Sequence, residues 1–285
     1  MFEPILDHAV VDVRDEIDEA EALFRRLGFA LQNRGHHTLG TSNHLAVFNT
    51  NYLELLGWQR GAKLERPDIQ RYPTGLGGLV FNADDADTVA ATFTNLGLPA
   101  QPPRSFSRPV TLNNGARLEA RFRTVNFDYG TFGWMRTYFC EHFTPELVWR
   151  PEWQRHPNGA VDIVRVVIQA ARPHRLGTLF ASMFGEAQTR LDGETCIVQA
   201  RDATIEIMQP DDVQKLFGEN APDLHGRDEA MVALTFRSSD LKQTAGALDA
   251  AEIQTCNDAK RIVVPAVQAS NVTLEFVGAA PHEAL

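Results

Sequence analysis

A carboxylate stands alone in the apolar stretch Tyr-Leu-Glu-Leu-Leu-Gly (52–57). Read as a strand, period-2 alternation sends Leu53 and Leu55 to one face and Glu54 to the other. A carboxylate in so apolar a strand needs a partner. A metal ion would serve, and so would a plain hydrogen bond to a histidine such as His8 lining a cavity. Glu141 and His142 are chain neighbours, so in a strand only one of them faces a site. Glu141 is expected inward, because a Glu forced against a helix layer costs more than a His there. Glu-His-Phe-Thr-Pro (141–145) also lines up with Glu-Ile-Met-Gln-Pro (206–210), proline on proline. The stretch His-His-Thr-Leu-Gly-Thr-Ser-Asn-His (36–44) groups hydroxyl, amide and backbone donors beside two histidines. An ordinary polar turn explains that composition equally well, and His44, which opens an apolar strand, reads as structural.

Weaker signals remain. Phe127, Tyr129, Phe132 and Trp134 form either an apolar ligand wall or plain core. Cys140 reads as a small buried hydrophobe. His156, His174, His225 and His282 lack a partner pattern and are expected at the surface. No Gly-x-Ser-x-Gly, P-loop or dinucleotide fingerprint is present.

The elements that must position these groups repeat. Residues 5–13 read as a strand, and 15–28 as a helix closed by Gly28. Phe29–Arg34, His44–Asn49 and 51–57 read as three more strands, giving a βαβββ unit. The unit recurs from 78 to 143, from 162 to 210 and from 229 to 278. Between the second and third copies, 146–160 carries two prolines and two tryptophans, a crossing that packs. It divides the chain into halves 1–150 and 151–285. Arg165 takes the place of His8 in the third copy and Ala233 in the fourth, while Glu206 and Glu275 persist. An Arg165–Glu206 ion pair is expected there.

Composition narrows the function. The chain has 285 residues, 44% hydrophobic and 22% charged, and a net charge of −10 without a basic block. Nucleic acid and anionic membranes are thereby disfavoured as partners. No run reaches the roughly 18 apolar residues of a membrane helix, and the opening residues do not read as a secretion signal. Three scattered cysteines suit a reducing cytoplasm rather than a disulfide framework.

Leu-Asp-His-Ala-Val-Val-Asp-Val (6–13), the 36–57 stretch with its His-x-x-Gly-Thr-x-Asn-x-Leu motif, and Cys-Glu-His-Phe-Thr-Pro-Glu-Leu-Val-Trp (140–149) resemble the vicinal oxygen chelate superfamily, within it the glyoxalase-like domain branch. The resemblance implies an α+β fold. Its four βαβββ units would form two half-barrel modules of the glyoxalase/bleomycin-resistance/dioxygenase type. It implies a divalent metal on the concave sheet, with ligands on the first and last strands of each unit. Carried over, these are His8, Glu54 and Glu141, with His142 the alternative to Glu141; Gly78 falls on the fourth position and ligates nothing. Glu141 would give a hard set suited to Mn²⁺, Mg²⁺ or Zn²⁺, and His142 a two-His-one-carboxylate set suited to Fe(II); Ni²⁺ is a further candidate. His37, Thr41, Asn43 and Trp134 would contact substrate, and a carboxylate, Glu54 or Glu141, would act as base. The implied activity is a lyase, isomerase or dioxygenase acting on a small molecule with vicinal oxygens. The alternative is metal-free sequestration of an antibiotic or other aromatic. The halves would pair within the chain or across a homodimer.

Overall fold

The computed structural model describes residues 2–278 apart from 39, 63, 65, 113 and 259. His282 therefore lies outside the described residues. Strands β1 (Leu6–Arg14), β2 (Gly35–His36), β3 (Ser42–Val47), β4 (Tyr52–Gly57), β5 (Gly75–Asn82), β6 (Arg104–Thr111), β7 (Arg117–Asn126) and β8 (Arg136–His142) form one sheet in the order β2-β3-β4-β1-β5-β8-β7-β6. Strands β9 (Ala160–Ala170), β10 (Thr189–Asp192), β11 (Thr195–Ala200), β12 (Ala203–Met208), β13 (Glu229–Ser238), β14 (Cys256–Asn257), β15 (Arg261–Val264) and β16 (Thr273–Gly278) form a second in the equivalent order. Helices are α1 (Ile17–Arg26), α2 (Pro67–Gln70), α3 (Ala86–Asn95), α4 (Pro173–Phe184), α5 (Pro210–Phe217) and α6 (Leu241–Ala250). Each half is a pair of βαβββ units, as expected.

The helices form where apolar spacing matches their period. Ile17, Ala20 and Phe24 are the buried stripe of α1, and Ala86, Val89 and Phe93 that of α3. Asp85 caps α3, its carboxylate accepting from the Thr88 N–H at 2.6 Å. Gly28, at φ +82°, turns the chain back after α1. Residues 29–34, expected as a strand, instead run irregularly and drop Phe29 into the core. The ladder starts only at Gly35.

The helix-covered faces of both sheets share one apolar core. Phe81 of β5 meets Phe184 of α4 at 4.8 Å between ring centroids, and Phe29 meets Phe236 of β13 at 5.2 Å. The crossing segment is tied into this core. His156, expected at the surface, is 5% exposed. Its Nε2 donates to the Val47 carbonyl and its Nδ1 accepts from the Ala30 N–H, each at 3.0 Å. Chain punctuation predicts a crossing here but cannot show which groups it meets. His174 and His225 are exposed, as expected.

Candidate functional site

The concave face of the first sheet encloses a cavity of about 550 Å³. Its chemistry starts from an irregularity in β1. Against β5, Leu6 pairs with Phe81 and His8 with Val80, so Asp7 is an extra residue. Such a bulge breaks the alternation of faces, and Asp7 and His8 meet on the same side of the sheet. The His8 Nδ1–H donates to Asp7 Oδ1 at 2.5 Å, and the ring stacks on Tyr52 of β4 at 4.2 Å. This assignment leaves Nε2 facing the cavity with its lone pair. The Tyr138 hydroxyl lies 3.3 Å from that nitrogen and Glu54 Oε2 lies 3.6 Å from it.

The structure brings Glu54, His37, Thr41 and Asn43 together on the cavity wall. Asn43 Nδ2 donates to Glu54 Oε1 at 2.7 Å and to His37 Nε2 at 3.2 Å, while His37 Nδ1–H donates to Thr41 Oγ1 at 2.8 Å. Burial pushes the His37 imidazolium down to about 4, against the pull of the Glu54 carboxylate. His37 is therefore neutral near pH 7. Burial also raises the Tyr138 hydroxyl well above the ordinary phenol range, so it stays protonated and can donate.

Two sequence expectations are corrected here. Glu141 does not face the cavity: its Oε2 accepts from the Ala86 N–H at 3.0 Å, at the N-terminus of α3. A carboxylate is well satisfied there by helix N–H groups, which removes the penalty assumed for that face. Trp134 is outside the cavity lining and packs edge-on against Tyr129. His142 shares the face of Tyr138 and Cys140 on β8 but is not among the residues that line the cavity. Its Nε2 is 2.9 Å from Asp7 Oδ2. Burial opposes its charge, yet the Asp7 carboxylate and Cys140 push its pKa up to about 11. Burial likewise opposes the charge on Asp7, which His142 and His8 nevertheless hold below the ordinary carboxylate range.

The second sheet explains the register. There Arg165, Thr235 and Glu275 form one row across β9, β13 and β16. The matching row in the first sheet is His8, Val80 and Tyr138. Tyr138, not Glu141, thus occupies the place of the fourth unit's carboxylate. Aligning the prolines missed this because Pro145 and Pro210 start the helical turns after β8 and β12, and these strands overrun by different lengths. The second half is closed by charge. Arg165 reaches Glu206 at 3.2 Å, as expected, and also Glu275 at 2.6 Å.

Gly77 admits a neighbouring ion pair and Gly78 the side chain of Val10. A Cβ on Gly77 would lie 1.7 Å from Asp12 Oδ2, and one on Gly78 would lie 2.8 Å from Val10 Cβ. Asp12 and Arg136 pair bidentately at 2.7 and 2.8 Å.

These residues do not fit the implied divalent-ion site. Of the four strand positions, His8 and Glu54 carry ligating groups, Tyr138 carries a protonated phenol, and Gly78 carries nothing. Among the described residues, one trio, Asp7, Cys140 and His142, brings ligand atoms within 4.8 Å of one another. Both Asp7 oxygens already accept from imidazoles.

Paired βαβββ sheets with a concave cavity define the vicinal oxygen chelate class. Within it, the chain belongs to the glyoxalase-like domain family, whose model matches residues 6–184. No curated protein matches the chain. Among solved structures, a hypothetical protein from Staphylococcus aureus is similar at 11% identity and TM-score 0.65, over 96% of this chain and 99% of that one. A mutant 4-hydroxymandelate synthase from Streptomyces coelicolor is similar at 15% identity and TM-score 0.59, over 98% and 93%. A xylose isomerase-like TIM barrel/4-hydroxyphenylpyruvate dioxygenase fusion protein follows at 11% and 0.60, over 100% of this chain and 50% of that one. At these identities the likeness is one of fold.

Proposed function

We propose that the protein is an acid–base enzyme of the lyase or isomerase kind, acting on a small carbonyl compound in the cavity of its first sheet. One observation carries this reading: the bulged Asp7–His8 pair turns an imidazole nitrogen into the cavity beside a phenol and a second carboxylate. Asp7 stays ionised and fixes the His8 tautomer. His8 Nε2 takes a proton from the carbon beside the carbonyl, and the resulting imidazolium lies between Asp7 and Glu54. Both carboxylates stabilise that charge. The Tyr138 O–H donates to the oxygen on which negative charge develops. Asn43 fixes Glu54, so the site needs little rearrangement during the step.

The test is deuterium wash-in from D₂O at the carbon next to the carbonyl, followed by proton NMR on a panel of small 2-oxo acids. Wild type is expected to catalyse exchange on at least one member. His8→Gln is expected to lower the rate by about 10²–10⁴-fold, and Tyr138→Phe by about 10²–10³-fold. Exchange that is unchanged in His8→Gln contradicts the reading. Sequestration without turnover is the second reading, favoured by the stacked Phe106 and Phe122 on the cavity wall. It predicts binding without exchange.

A further inference from the structure

The cavity also holds a charge that the acid–base chemistry does not use. Alternation along β6 puts Arg104, Phe106 and Arg108 on one face, opposite Thr124, Phe122 and Ala120 of β7. Arg104 is exposed at the mouth, whereas Arg108 is 3% exposed. Arg108 passes against Gly35 on the far edge of the sheet, where a Cβ would lie 3.1 Å from its Cδ and 2.4 Å from Asn43 Oδ1. The absence of a side chain at Gly35 therefore makes room for the guanidinium.

Among the described residues, Arg108 has no carboxylate within salt-bridge distance, and its buried Nη2 has no hydrogen-bond acceptor. The other deeply placed guanidinium, Arg136, is fully paired with Asp12. A buried guanidinium stays charged, and leaving it unpaired is costly. An anion arriving with the ligand would remove that cost and form a forked pair. Beside it, Phe106 and Phe122 stack with centroids 5.1 Å apart, and the His37 ring meets Phe106 edge-on at 5.5 Å. This wall takes a flat apolar body. With Glu54 in the same cavity, one guanidinium that is both buried and unpartnered balances a monoanion better than a dianion, the other arginines of the lining that are unpaired among the described residues, Arg71 and Arg104, being exposed.

We propose that Arg108 is the anion-recognition residue of this cavity and that the substrate is a small monocarboxylate with a planar apolar body. The carboxylate pairs with the Arg108 guanidinium, the body lies against Phe106 and Phe122, and the reacting carbon is presented to His8. The inference names the substrate class of the site proposed above and rests on that reading.

The test is isothermal titration of the full chain with phenylacetate, its neutral counterpart phenylacetamide, and phenyl phosphate. Wild type is expected to bind phenylacetate at least tenfold more tightly than phenylacetamide and more tightly than phenyl phosphate. Arg108→Gln is expected to abolish the preference over the amide, and Arg108→Lys to keep part of it. Because Arg108→Gln removes an unpaired buried charge, its ligand-free melting temperature is expected to equal or exceed that of wild type. Arg104→Gln makes the same charge change at the mouth and is expected to alter the preference by less than threefold.

Equal binding of acid and amide, no binding of either, tighter binding of the phosphate, a preference that survives in Arg108→Gln, or an equal loss in Arg104→Gln overturns the proposal. His8→Gln separates the two readings. It is expected to retain the carboxylate preference, so a preference that persists while no exchange is ever seen sinks the catalytic reading alone.

Discussion

Two buried imidazoles in the first sheet have been pushed in opposite directions, and this has consequences for stability. His142 gains Asp7 as a partner and titrates at about 11 instead of the ordinary 6.5. Between those values the folded chain binds a proton that the unfolded chain has released, so this contribution is complete below 6.5 and is lost as pH rises through 11. His37 is the reverse case, pushed by burial down to about 4. The unfolded chain binds the extra proton between 4 and 6.5, so stability falls as pH drops through that window. Chemical denaturation across pH is expected to show both slopes. His142→Gln should flatten the alkaline one and His37→Gln the acid one; unchanged slopes in both variants would contradict these assignments. In the second sheet, Arg165→Met removes the cation beside Glu206 and leaves Glu275 with Arg261, 2.9 Å away, and with the Thr235 hydroxyl, and is expected to cost about 1–3 kcal/mol in urea unfolding. A loss below 1 kcal/mol would show that the network is only a surface pair.

At the scale of elements, the site depends on where two strands depart from regular pairing. The bulge at Asp7 puts a carboxylate behind His8, and a second register shift on β5 leaves Gly77 unpaired beside Asp12. Gly77→Ala would drive a Cβ into the Asp12 carboxylate. Breaking this buried pair with Arg136 is expected to destabilise the protein by about 3–5 kcal/mol, read from the denaturation midpoint. A cost below 1 kcal/mol would mean that the pair simply moves aside. These departures also set what was legible from sequence. Glu54 could be found because β4 alternates faithfully, and His8 because the family resemblance points to it. Asp7 could not, since a bulge defeats the parity rule. Tyr138 was hidden in an aromatic run that reads as core, and its true register was obscured by the prolines that follow. Arg108 had a signal that went unread: Arg-Ser-Phe-Ser-Arg (104–108) alternates, placing two arginines and a phenylalanine on one face. The glycine pair in Gly-Leu-Gly-Gly-Leu (75–79) likewise marks close approach of neighbouring groups.

At the scale of the molecule, the βαβββ repeat was legible four times over because helix and strand periods survive divergence better than individual side chains do. What periodicity could not show is that the helix faces of both halves close on one core. Phe29 of the first half packs between Phe236 and Phe276 of the second, and Phe81 packs on Phe180 and Phe184. Residues 1–150 expressed alone are therefore expected to lack a cooperative unfolding transition, while the full chain unfolds in one step. A folded, cooperative 1–150 fragment would contradict the shared core. The two concave faces have also diverged, one closed by Arg165 and its carboxylates, the other open and lined by His8, Glu54, Tyr138 and Arg108. The central claim is that the open face moves protons with its own side chains. The most direct test is the deuterium exchange assay on protein dialysed against a strong chelator. The account predicts that exchange persists after chelation and disappears in His8→Gln. Exchange that vanishes on chelation and returns when a divalent ion is added would contradict it.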